Sequence, residues 1–498
     1  MAQPFILAID EGTTNAKAIA VSQDGKVLAK GSEPVVLTHP KAGWAEQDPE
    51  AIWQATQRAI RQCIAQIPDN KLAGIAISNQ RESVLIWDRK TGKALTSLAS
   101  WQCRRSEEIC ERIAEKPQAE QVKQLTGSVI DPLYPASKIN WLLSSLDNGA
   151  DRAANGELCA GTIDTWLVWK LTGGRQFVTD ASNASRYQLF NINTFEWDPL
   201  LLELFEIPVE CLPEVIPSSG LRGKTSGLGF IADDIPVLAQ AGDSHAALYG
   251  QGGFNPGVVK ATYGTGSSLM VRIDKQPEAD FGVCSTVAWD DGTPSLAMEG
   301  NITHTGSAIK FISNMLGYTD IDKLSELAWS VEDTNGVFFV PALAGLGAPH
   351  WDAKARGLIT GLTDAVTPAH IARAAFESVV YQVADLLFAM EASVDMELNE
   401  LSVDGGPTKN HQLMQFQADV LQKRIVKRDI AEVSALGAAF LAGKAIGWWP
   451  DYAVLSSLLP PSEVIIPNSD TRLAYKNYQA WKLAVERARF RSNNTEVL

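Results

Sequence analysis

Residues 5–21 run apolar, break on Asp10-Glu11-Gly12-Thr13-Thr14, and turn apolar again at once. That pattern predicts a hairpin of two buried strands joined by a polar turn. The turn has the chemistry of an anion cradle. Gly12 lets backbone approach closely, Thr13 and Thr14 offer hydroxyl and N–H donors, Lys17 adds charge, and Asp10 can hold a metal ion through water. An ordinary polar turn has the same composition, because Asp and Gly are common turn residues.

The pattern returns at residues 257–271, where an apolar run meets Tyr263-Gly264-Thr265-Gly266 and resumes through Ser267 and Ser268. Two such hairpins, half the chain apart, predict a duplicated architecture with a phosphate hairpin in each half and the phosphates between them.

Three further apolar runs end on polar groups. Residues 74–78 deliver Asn79-Gln80-Arg81-Glu82, residues 235–239 lead to Gly242-Asp243-Ser244-His245, and residues 401–404 lead to Gly405-Gly406, with a helix from near Asn410. Open α/β sheets gather ligands at such strand ends. Arg81 and Glu82 also read as a solvated ion pair, Asp243 reads as a general base, and His245 as a hydrogen-bonded core residue. Trp101 is either core or a flat wall for a carbon skeleton. Asp48-Pro49 caps a helix that Pro68 stops. Residues 134–146 and 368–390 read as helices, and Glu299-Gly300 precedes another through Gly306 and Lys310. Residues 434–439 open a small-residue helix suited to close packing at a hinge. The run 180–186, polar and rich in turn formers, reads as a surface loop.

Composition narrows the class. The chain has 498 residues, enough for two to four domains, and its 58 acidic against 43 basic residues give a net charge of -15. That balance argues against a nucleic-acid or anionic-membrane surface and leaves small molecules as partners. Six cysteines and six histidines are scattered without zinc-type spacing, so the expected metal is Mg2+ carried in with a nucleotide. The first strand begins at about residue 4, and no apolar run approaches the roughly 20 residues of a membrane span; both point to a cytoplasmic protein.

Taken together, the motifs resemble those of the FGGY carbohydrate kinase family, most nearly its glycerol kinase branch. The stretches that carry the likeness are the two hairpins, Gly43-Trp44 through Asp48-Pro49, Asn79-Gln80-Arg81-Glu82, Trp101-Gln102-Cys103-Arg104-Arg105, Gly161-Thr162-Ile163-Asp164-Thr165-Trp166, Gly345-Leu346-Gly347-Ala348-Pro349 and Val403-Asp404-Gly405-Gly406. The resemblance implies an α/β fold of two actin-like, ribonuclease-H-like ATPase domains facing across a cleft. Residues 1–246 would bind mainly the sugar or polyol, and residues 247–498 mainly ATP. It places the catalytic base on Asp243 and acceptor contacts on Arg81, Glu82 and Trp101. The first phosphate hairpin falls on Asp10, Thr13, Thr14 and Lys17, with Asp10 near magnesium. The second phosphate region falls on Thr265, Gly266 and Gly306, with Lys310 on the same helix, and the adenosine site on Gly405, Gly406 and Asn410. Homodimers or homotetramers are compatible with the family.

Three acceptor-pocket positions depart from the glycerol kinase pattern. Leu133 follows Asp131-Pro132 where that pattern has tyrosine, Ser244 stands for glutamine after the base, and Ser268 replaces an aromatic wall. The expectation is a roomier, more polar pocket for a four- or five-carbon polyol, with glycerol itself or a pentulose as alternatives. Residues 220–229 lack the Gly-Gly-Thr-Arg run of glycerol kinases that bind fructose bisphosphate, and no histidine stands there to accept phosphate, so neither control is expected. A rival from another class is an actin- or Hsp70-like ATPase that uses the two hairpins to drive conformational change.

Overall fold

A computed structural model of the chain describes residues 3–277, 282–394, 396–428, 432–459, 462–468 and 472–491. Pro4–Glu11 (β1) alternates between two apolar environments: Phe5, Leu7 and Ile9 enter one core cluster, Ile6 and Ala8 another. A strand apolar on both faces belongs in the middle of a sheet covered on each side. Around β1 a six-stranded sheet forms from Asn15–Ser22 (β2), Val27–Pro34 (β3), Lys71–Asn79 (β4), Ser219–Lys224 (β5) and Pro236–Gly242 (β6), in the order β5-β6-β4-β1-β2-β3. Strands β4 and β6 run parallel to β1; the other pairs are antiparallel.

The second sheet repeats that plan. Its strands are Val258–Tyr263 (β7), Ser267–Ile273 (β8), Cys284–Asp290 (β9), Pro294–Ile302 (β10), Glu400–Gly405 (β11), Arg424–Arg428 (β12) and Ser462–Ile465 (β13), ordered β9-β10-β8-β7-β11-β12-β13. Strand for strand, β10-β8-β7-β11-β12-β13 matches β3-β2-β1-β4-β6-β5 in order and direction, with β9 as an added edge. The duplication expected from the two hairpins is therefore a duplication of whole sheets.

Helices cover the sheets. Pro49–Ala65 (α1) starts on the predicted cap, the Asp48 carboxylate accepting from Glu50 N at 2.9 Å, and buries Ile52, Ala59, Ile60 and Cys63. Further helices are Pro135–Ser144 (α2), Ala181–Ala184 (α3), Asp243–Gly250 (α4), Gly306–Met315 (α5), Pro368–Ser393 (α6), His411–Leu421 (α7) and Val433–Ala445 (α8). Although α8 lies late in the chain, it beds on the first sheet, sharing a core cluster with Ile6, Ala8, Ala76 and Leu238. It also presses on α4, where a Cβ on Gly437 would collide with the Ala246 carbonyl and the Gly250 N–H. The small residues of 434–439 thus serve the close packing expected of them.

One expectation is overturned. Residues 180–186 are buried rather than a surface loop. Asp180 accepts from the backbone N–H groups of Ser182 and Asn183, both at 3.0 Å, and so caps α3. The polar side chains are paired inside the protein: Asn183 Nδ2 donates to Asn79 Oδ1 at 3.1 Å, and Ser185 and Thr286 share a hydroxyl contact at 2.7 Å. Among the described residues no helix is long and apolar enough to cross a membrane.

Candidate active site

Three neighbouring parallel strands end in register. Glu11 of β1 pairs with Asn79 of β4, which pairs with Gly242 of β6. Their continuations, Gly12-Thr13-Thr14, Gln80-Arg81-Glu82 and Asp243-Ser244, therefore emerge together at one edge. In the second sheet Tyr263 of β7 pairs with Gly405 of β11, so Gly264-Thr265-Gly266 and Gly405-Gly406 emerge in the same way.

A chain of alternating charge lies at the first edge. The Arg81 guanidinium donates through Nε to Asp243 Oδ1 at 3.1 Å, and through Nη1 and Nη2 to the two carboxylate oxygens of Glu299 at 2.9 and 2.8 Å. Its Nη2 also reaches Ser244 Oγ at 3.2 Å. Arg186 continues the chain, donating to Glu82 Oε1 at 2.6 Å and pairing with Glu299 Oε2 at 3.1 Å. Ser268 Oγ lies 3.5 Å from the Glu299 carboxylate. Arg81, Glu82, Asp243, Ser244 and Ser268 thus share one network. A Cβ on Gly242 would lie 2.7 Å from the Arg81 stem, so the guanidinium is brought over a position where only glycine fits.

The electrostatics follow from burial and pairing. Glu299, fully buried between two guanidinium groups, is held well below the usual carboxylate range. Burial pushes the Asp243 carboxyl up, with Arg81 opposing. Its side chain is 39% exposed, so it still opens to solvent. Asp10, half-buried with Oδ1 accepting from Ser78 Oγ at 2.8 Å, is pushed up to about 6 by burial, with the negative charge of Asp243 adding to the rise.

Trp101, 38% exposed, is not core, and its indole N–H donates to Thr13 Oγ1 at 3.0 Å. Leu133 is half-buried; its carbonyl accepts from the buried Lys138 Nζ at 2.6 Å, and the same ammonium donates to the Glu82 carbonyl at 3.0 Å. Burial pulls Lys138 down to about 8. His245 is buried against Thr286, 3.3 Å away, and pulled well below its ordinary value by burial, as the core reading expects.

Around the second hairpin, Gly306 N donates to Gly264 O at 3.0 Å, and Thr305 N and Ser307 N to Thr265 O at 3.0 and 3.1 Å, locking the start of α5 to the hairpin beside Gly266. Lys310 stands exposed on α5, and Gly405 and Gly406 are exposed past β11. Asn410 caps α7, accepting from Leu413 N at 3.0 Å and donating to Ser325 Oγ at 2.7 Å. In the first hairpin Thr14 Oγ1 accepts from Asn15 Nδ2 at 3.1 Å. Lys17 is not free over the turn: it pairs at 2.6 Å with Glu432, which precedes α8.

Three residues of this site escaped the sequence. Arg186 lay in the supposed surface loop, Glu299 was noted only for the helix after it, and Lys138 only as part of a helix. The small residues Ala181, Ser182, Ala184 and Ser185 before Arg186 were the available signal, since a run that compact can be buried.

The chain matches the N-terminal domain of the FGGY family of carbohydrate kinases over residues 5–250 and the C-terminal domain over 259–446. It is 53% identical to the apulose kinase of Pectobacterium atrosepticum over 99% of both chains. It is 41% identical to the glycerol kinase of Francisella tularensis subsp. holarctica, over 98% of this chain and 99% of that one. The crystal structure of Plasmodium falciparum glycerol kinase with ADP superposes with a TM-score of 0.94 at 31% identity, covering 99% of each chain. The duplicated sheets and these matches agree: the chain belongs to the FGGY family of carbohydrate kinases and is an ATP-dependent phosphotransferase acting on a carbohydrate hydroxyl.

Proposed function

We propose that the acceptor is a five-carbon ketose of the apulose type. The observation that carries this reading is the 53% identity, end to end, with an apulose kinase. It favours a ketose over the polyol expected from the sequence, and it agrees with the small residues Ser244 and Ser268, whose hydroxyls meet Arg81 and Glu299 where a larger acceptor needs both room and polar partners.

In this reading residues 1–246 hold mainly the acceptor and residues 247–498 mainly ATP. Arg81, Glu82 and Trp101 orient the sugar, with Leu133, Ser244 and Ser268 shaping the pocket. Asp243 takes the proton of the attacking hydroxyl as the bond to phosphorus forms, which an alcohol requires at neutral pH. Thr13, Thr14 and Lys17 on one side, and Thr265, Gly266, Gly306 and Lys310 on the other, hold the phosphates in line; Gly405, Gly406 and Asn410 hold the adenosine. Asp10 is the residue that would hold magnesium, through water. A half-buried carboxylate raised by its surroundings gains from a nearby cation, so it fits that role. Magnesium bound with ATP neutralises phosphate charge. Bringing the two halves together excludes water and limits idle hydrolysis of ATP. The site of action is the cytoplasm, where ATP is available and the six free, buried cysteines stay reduced.

A coupled assay of ADP release over apulose, xylulose, ribulose, erythritol, pentitols and glycerol should give its highest kcat/KM on a five-carbon ketose. A maximum on glycerol overturns the larger acceptor, and turnover without any acceptor would favour a conformational ATPase. Asp243→Asn should lower kcat by about 100- to 10,000-fold while ATP still binds, as measured by titration calorimetry.

A further inference from the structure

Arg81 carries a planar fork that can meet one carboxylate with two parallel hydrogen bonds. Two carboxylates compete for it, and the geometry is unequal. Glu299 takes the Nη1 and Nη2 edge at 2.9 and 2.8 Å, and from Arg81 Asp243 receives only the Nε–H, at 3.1 Å, on the same Oδ1 that accepts from Ser244 N at 2.6 Å. Glu299 is fixed in that position by a second cation, Arg186 at 3.1 Å, which is itself anchored on Glu82 at 2.6 Å. Both arginines and Glu299 are at least nine-tenths buried at the side chain, whereas Asp243 is open to solvent. Glu299 comes from β10 in the second sheet, while Arg81 and Arg186 come from the first half of the chain.

We propose that Glu299, held by Arg186, is a positioning residue: it occupies the outer edge of the Arg81 guanidinium, so that Arg81 orients Asp243 by a single N–H and leaves that carboxylate free to take the acceptor's proton. The inference rests on the reading of Asp243 as the base. A carboxylate gripped by a whole guanidinium fork is stabilised as an anion and is a poor base; one that receives a single bond from the guanidinium is aimed without being neutralised. The other charged groups acting on Asp243 are Glu82 beyond β4, Asp10 and Glu11 at the end of β1, and Lys260 on β7. None of these bonds the outer edge of Arg81, which leaves Glu299 as the group that sets how much of Arg81 Asp243 receives.

The test is Glu299→Gln, which keeps shape and one acceptor oxygen but no charge, with Glu299→Asp as its partner, which keeps the charge on a shorter arm. In Glu299→Gln, kcat should fall about 10- to 100-fold with KM for ATP within about twofold. The acid limb of the kcat/KM profile should move down by about half a pH unit or more, because Arg81 turns its charge to Asp243. Glu299→Asp should hold the limb in its wild-type position and lose less than about tenfold in kcat. A wild-type limb in Glu299→Gln, a limb displaced equally in both variants, or a loss confined to KM makes Glu299 a strut between the halves and overturns the proposal. Should the glutamine variant not fold, the position of the limb in Glu299→Asp decides alone. Asp243→Asn separates the two readings. If it is as active as wild type, the parent assignment fails; if it is inactive while Glu299→Gln behaves as wild type, only the role of Glu299 fails.

Discussion

Glu82 sits in the left-handed backbone region, φ 61°, which a residue other than glycine holds only under constraint. Lys138 supplies part of it, bonding the carbonyls of Glu82 and Leu133 together from below, and Arg186 supplies the rest through the carboxylate. Removing the ammonium should leave the buried Glu82 carbonyl unpaired, at about 1–3 kcal/mol, and the half-buried Leu133 carbonyl without its partner at a smaller cost. Lys138→Met should therefore lower the melting temperature and raise KM for the acceptor about tenfold while KM for ATP stays put, as seen in two-substrate kinetics. Asp10 gives a pH signature. Its folded-state value of about 6 lies above that of an unfolded aspartate, so the folded protein holds its proton more tightly and loses stability as pH rises from about 4 through 6. In metal-free buffer Asp10→Asn should melt higher than wild type at pH 8, and that advantage should vanish at pH 4. Calorimetric scans at both pH values check it.

At the scale of elements, β1, β4, β6, β7 and β11 were legible because buried parallel strands are short continuous apolar runs, and their polar continuations mark the edge where open α/β sheets gather ligands. The segment around α3 was not legible. Serines, asparagines and an aspartate satisfy one another inside the protein as readily as they satisfy water, and only their partners Asn79 and Thr286, distant in sequence, decide which. Placing Asp243 depends on another element contact, since α4 begins at Asp243 and is held by α8. Gly437→Val should push these helices apart, costing about 1–3 kcal/mol or more. Urea denaturation should register that loss, and kcat should fall with it because Asp243 moves relative to Arg81.

At the scale of the molecule, the contacts that join the halves include α8 on the first sheet, Arg81 and Arg186 on Glu299, Ser185 on Thr286, and Lys17 on Glu432. The last of these is partly exposed and worth about 0–1 kcal/mol, so Lys17→Met should leave thermal stability nearly unchanged. If Lys17 turns to phosphate when ATP binds, the same variant should raise KM for ATP about tenfold and leave KM for the acceptor alone. The sequence by itself determined the duplicated plan, the two hairpins, the strand-end candidates and the membership in a kinase family, because each is written in local periodicity and in short motifs whose chemistry is local. It also marked Leu133, Ser244 and Ser268 as departures. Only the tertiary structure decided that Glu299 and Arg186 stand beside Arg81, that Lys138 lies under Glu82, that residues 180–186 are interior, and that Lys17 meets Glu432. Charges hundreds of residues apart find each other only when the folded sheets bring their strands together, and no window of sequence contains that distance.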